Sequence, residues 1–140
     1  MSVIEAAVAE LERYVKQKTL EFARSQPREC RLALNQNHMT PDFRAVIGDD
    51  CIADSIKAAI GEVKSPASAR SYFEKFDEMA QNYGRSEYDE DAGCVRSGYK
   101  KECYVCTEVR NILAKAIGEK ALPLRAYYSE AEYKDDREDR

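Results

Sequence analysis

The chain has no tryptophan, a single histidine, and no apolar run near the roughly 18 residues that a membrane span needs. Its amino end, Met1-Ser2-Val3-Ile4-Glu5, has no basic run followed by an apolar stretch and so does not look like a secretory leader. The expectation is a soluble cytoplasmic protein with no membrane partner. Large apolar side chains are also scarce. Leu, Ile, Val and Phe number 26 of 140 residues, or 19%, just under the level at which a strongly charged chain is called disordered. A net charge of -4 is too small to keep the chain unfolded, and 18 alanines with nine tyrosines fill in. A folded chain with a thin core of small side chains and tyrosine rings follows.

The motifs of common catalysts are missing as well. There is no glycine-rich phosphate loop, no G-x-S-x-G and no H-E-x-x-H. Mild acidity disfavours general nucleic-acid binding, which needs a basic surface to neutralise phosphates. Charge is nevertheless blocked along the chain. Residues 86–93 carry -4, residues 94–125 carry +4, and residues 126–140 return to -3.

What is present is helical periodicity. Ser2 with Glu5 forms a capping box, and Ile4, Val8, Leu11, Val15 and Phe22 then share one face, predicting a helix over 3–24. Residues 28–34 have no settled state, and Asn35-Gln36-Asn37 closes them. Thr40-Pro41 signals a short helix that Gly48 stops, and Asp49 or Asp50 caps the next, whose stripe is Ile52, Ile56, Ala59, Ile60 and Val63. Ser65-Pro66 starts a fourth helix with the most aromatic stripe: Ala69, Tyr72, Phe73, Phe76, Met79, Ala80 and Tyr83. Residues 85–98 show no period and read as a mobile loop. The last helix spans 100–117 with Val105, Cys106, Val109, Ile112, Leu113, Ala116 and Ile117 inward, and Gly118 ends it.

The expected fold is therefore mainly α, a single domain over 1–128 with about five helices of unequal length. A charged tail occupies 129–140. The stretches 31–34 and 124–128 could pair as a short two-stranded ribbon.

Five cysteines, an odd number in a reducing compartment, point to thiols, metal or redox chemistry before a disulfide framework. Cys103 and Cys106 lie at i and i+3, and Cys94 stands nine residues upstream, so the three could ligate zinc. A fourth ligand would have to come from Cys30, Cys51 or His38. The alternative is packing, because Cys106 lies in its helix's apolar stripe and Cys103 at the stripe's border. Helix-start amides and the neighbouring Asp49 and Asp50 act on Cys51 in opposite senses, so it is not read as reactive. Glu74 and Asp77 share the spacing of a magnesium-holding pair but sit with Arg70, Glu78 and Gln81 on what reads as a solvated face.

Tyr83, Tyr88, Tyr99, Tyr104, Tyr127, Tyr128 and Tyr133 cluster in or beside the irregular segments. Tyrosine concentrates at protein interfaces because it joins apolar area to a hydrogen-bonding tip. The leading expectation is a small non-enzymatic protein that binds another protein through Tyr99 and Tyr104, with Arg96, Lys100 and Lys101 as the polar rim and no cofactor. The alternative is a zinc-stabilised regulator contacting nucleic acid through Arg96, Lys100, Lys101, Arg110 and Lys115.

Overall fold

A computed structural model describes residues 2–28, 42–84, 87–89, 94–96 and 100–124, and in 83–103 it describes the backbone only. Five α-helices occur among the described residues: α1 (Val3–Ser25), α2 (Phe43–Ile47), α3 (Asp50–Glu62), α4 (Pro66–Gly84) and α5 (Lys100–Ile117). The chain is thus mainly helical. None of these helices is long and apolar enough to cross a membrane.

Local chemistry sets the helix ends. The Ser2 hydroxyl accepts from the Glu5 amide at 3.1 Å, and the Asp49 carboxylate accepts from the Ile52 amide at 2.9 Å, so both caps stand where the residue types demand. The start of α2 differs from expectation. Its N-cap is Asp42, whose carboxylate takes the Arg44 amide, while Thr40 and Pro41 fall outside the described residues. At α4, Ser65 and Ser68 cap each other: each backbone amide donates to the other's hydroxyl, a serine version of the capping box. Gly48 (φ 86°) and Gly118 (φ 74°) end α2 and α5 in the left-handed conformation that side-chain-bearing residues avoid. After Gly118, the Glu119 amide returns to the Ala114 carbonyl, closing α5.

Members of the predicted stripes, joined by Tyr14 and by three residues of α2 that belong to no predicted stripe, supply one core. Leu11 and Tyr14 of α1, Phe43, Val46 and Ile47 of α2, Ile52, Ile56 and Ala59 of α3, Ala69, Phe73, Phe76 and Ala80 of α4, and Val105, Cys106, Val109 and Leu113 of α5 form a single buried cluster. Helix α5 is central. It makes its most extensive contact with α4 and packs across α1 on another side. Consequently its buried residues are not confined to the predicted stripe: Thr107, Arg110 and Ala114 are buried as well.

Between α4 and α5, Glu87–Asp89 (β1) pairs antiparallel with Cys94–Arg96 (β2). This corrects the reading of 85–98 as wholly irregular. The register sets Tyr88 across from Val95 and Glu87 across from Arg96, residue types that suit neighbouring strands. Three-residue strands are too short to show a period of two. The ribbon expected between 31–34 and 124–128 falls, apart from Leu124, outside the described residues, as does the tail.

Candidate functional site

Three features of the described residues combine polar groups with either burial or open space. The first is a buried ion pair. Arg110 is fully buried, and its Nε donates to Asp77 Oδ1 at 2.9 Å. Its Nη1 donates to Asn111 Oδ1 at 2.7 Å and to the Lys120 carbonyl at 2.8 Å, and the guanidinium lies 4.7 Å from the Phe73 ring centre. Asn111 in turn accepts from the Leu122 amide at 3.0 Å and donates to the Leu122 carbonyl at 2.9 Å. The network ties α4, α5 and the segment after Gly118 together.

Two expectations change here. Asp77 is not part of a solvated carboxylate pair: Glu74 is exposed, whereas Asp77 faces the Arg110 guanidinium. Arg110 is no surface cation, because its charge is spent inside the protein. Lys115 remains largely exposed but donates to Glu10 Oε1 at 2.9 Å, bridging α5 to α1. Two of the five cations expected to contact nucleic acid are therefore engaged within the chain.

The second feature lies between α1 and α5, a cleft of about 270 Å³ walled by Tyr14, Glu108, Ile112 and Leu124, with Glu10, Lys115 and Asn111 around it. Tyr14 is only 8% exposed, and its hydroxyl has no hydrogen-bond partner. Burial raises its pKa well beyond the ordinary tyrosine range, and the nearby Glu108, Cys106 and Glu21 push the same way. Burial also raises the Glu108 carboxyl; Lys18 opposes that shift and Glu21 adds to it. The Lys18 ammonium forms an ion pair with Glu108 at 3.8 Å and stands 5.4 Å from the centre of the Tyr14 ring. Sequence reasoning missed both groups. Tyr14 lies at the edge of the α1 stripe beside Val15, and only the partner helix makes that edge interior.

The third feature is an open groove of about 440 Å³ between the first half of α1 and the end of α3. Ile4, Val8, Ala9, Ile60 and Val63 line it, and Glu5, Glu12 and Lys64 stand at its rim. The exposed Val3 adjoins it in sequence.

Of the expected metal ligands, Cys106 is fully buried in the core cluster, where its neighbours include Tyr14. The side chains of Cys94 and Cys103 lie outside the described residues, as do Cys30 and His38. Among the described residues no group of three or more His, Cys, Asp or Glu side chains is placed to hold a metal. Of the expected interface, Tyr104 is partly exposed on α5; the side chains of Arg96, Tyr99, Lys100 and Lys101 lie outside the described residues. Cys51 is exposed in the first turn of α3. Comparison with known protein families, with curated proteins and with solved structures found no match for this chain.

Proposed function

We propose that this is a small non-enzymatic protein that acts by binding another protein. The observation that carries the reading is the groove between α1 and α3: an aliphatic floor from two helices, open to solvent, with carboxylates on its rim. Such a surface suits an apolar side chain or an amphipathic segment of a partner, with rim charges steering the encounter. Tyr104, partly exposed on α5, offers a second contact of the aromatic kind that anchors interfaces. The zinc-and-nucleic-acid alternative is weaker for the burial of Arg110, since a guanidinium enclosed in the core cannot neutralise phosphate.

The test is site-specific photo-crosslinking in cells. A photoreactive residue at Ala9, in the groove, is compared with one at Glu74, on the exposed face of α4. Discrete adducts from Ala9 that disappear when Val8 is changed to Asp, together with a blank Glu74 control, are expected. Equal labelling from both positions, or none from Ala9, would refute the groove as the binding surface. A parallel Tyr104→Ala variant reports whether α5 shares the contact.

A further inference from the structure

We infer that the groove between α1 and α3 receives an amphipathic helix of another protein, one that carries lysine or arginine along the edge facing α1. The inference deepens the proposed reading of the groove and rests on it. Of the four glutamates on α1, Glu10 pairs with Lys115 and Glu21 with Lys18, whereas Glu5 and Glu12 enter no ion pair and no side-chain hydrogen bond among the described residues. Both of these unpaired carboxylates stand on the groove. A spacing of seven residues puts them on one face of the helix, about 10 Å apart along its axis. Lys64, the remaining charged group of the groove, follows the C-cap of α3. The fitting partner is therefore basic on one edge only, the edge that meets α1.

The floor and its backbone decide the form of the occupant. Ile4 and Val8 stand at i and i+4 on α1, and Ile60 and Val63 at i and i+3 answer from the end of α3, so both sides of the floor are laid out at helical spacing. The backbone beneath is spent on helix hydrogen bonds, and the Ser2 hydroxyl caps the first turn of α1. An extended segment would find no strand edge to join and would bring unpaired amides and carbonyls onto an apolar surface. A helix arrives with its backbone already paired. Running along α1, it lays an apolar stripe on the floor and places basic residues at i and i+7 within reach of Glu5 and Glu12. Nucleic acid or an anionic lipid surface would instead set its phosphates against two carboxylates of the same sign.

Three labelled peptides of about 18 residues, long enough to hold a helix in water, test this on the intact chain by fluorescence anisotropy. They share an alanine-rich frame and one leucine stripe, and differ only at two positions seven apart along one edge, which carry Lys, Gln or Glu. The Lys peptide should bind tightest and the Glu peptide weakest, each exchange changing affinity by about two- to thirtyfold, as two exposed ion pairs do. The order should reverse on a Glu5→Lys/Glu12→Lys protein, whose altered side chains are exposed and leave the core alone. It should persist on a Glu74→Lys/Glu78→Lys protein, changed on the exposed face of α4, and all binding should vanish with Val8→Asp. Equal affinity of the three peptides, an order that survives Glu5→Lys/Glu12→Lys, or an order lost in the α4 variant would overturn the inference. So would concentration-dependent self-association abolished by Val8→Asp, which assigns the groove to a second copy of the chain. If no peptide binds while Ala9 still gives discrete crosslinks, the groove takes a partner of another kind and only this inference falls. If Ala9 is also blank, the reading of the groove falls with it.

Discussion

Removing the Asp77 carboxylate should be far more damaging than removing the whole Asp77–Arg110 pair. In Asp77→Ala the Arg110 guanidinium keeps its acceptors on Asn111 and Lys120 and its place by the Phe73 ring, but loses its countercharge in a site with no exposure. Breaking a buried pair from one side costs about 3–5 kcal/mol, because the remaining charge is left uncompensated. A domain of ordinary stability holds only about 5–15 kcal/mol in total. With a urea slope of about 2 kcal/mol per molar, the unfolding midpoint should fall by about 1.5–2.5 M. The double variant Asp77→Leu with Arg110→Met replaces both charges by apolar groups of similar reach. It should recover most of that loss, since a buried pair and a well-packed apolar substitute are often close in stability. Urea titration followed by far-ultraviolet circular dichroism on the parent protein, Asp77→Leu, Arg110→Met and the double variant gives the coupling directly, with Asp77→Ala measured beside them. A single-variant loss under about 1 kcal/mol, or a double variant no more stable than the worse single, would refute the view that burial makes this pair interdependent.

Other perturbations follow from the same residues. Glu108 holds its proton more tightly folded than unfolded, so native stability falls as pH rises through its raised range; Glu108→Gln should be the more stable protein above that range and lose its advantage in acid. Thermal melts at stepped pH check this, and a variant less stable at neutral pH would contradict it. Asn111→Ala removes both hydrogen bonds to Leu122 and one acceptor of Arg110, and should cost about 2–3 kcal/mol, measured by urea unfolding. Cys106→Ser puts a hydroxyl at a fully buried position and should cost about 1–3 kcal/mol whether or not chelator is present. If Cys94, Cys103 and Cys106 hold zinc, a strong chelator should lower the melting temperature and each of the three serine variants should do the same.

Helix positions are legible in the sequence because each helix carries its own start and stop. Ser2, Asp49, Ser65, Gly48 and Gly118 act through backbone amides and carbonyls within a few residues of themselves, so neighbours in sequence suffice to recognise them. The inward faces of α1, α3 and α4 are legible because most of their buried apolar residues recur at helical spacing. Helix α5 is less so. Its periodicity reads as one stripe, but α4 and α1 cover two sides, and that is how Arg110 and Thr107 come to be interior. Asp77 misleads in the same way, since a carboxylate at the border of a stripe looks solvated until its countercharge is known. Tyr14 and Glu108 escape notice because their meaning lies in their proximity, 94 residues apart in sequence. The β1–β2 pairing leaves too short a trace to detect.

The Asn111 amide engages the Leu122 peptide through both its N–H and its C=O, as an adjacent strand would. Pro123 follows at once and has no N–H to offer, so this rung cannot be extended into a ladder. The segment after Gly118 is therefore held by this one peptide together with the Arg110 bond to the Lys120 carbonyl. Tension applied at Leu124, the last described residue, passes through the Leu122 peptide to Asn111 and Arg110 and so into α5 and α4. The pair that joins those two helices is thus also a mechanical link between the core and the segment that follows Gly118.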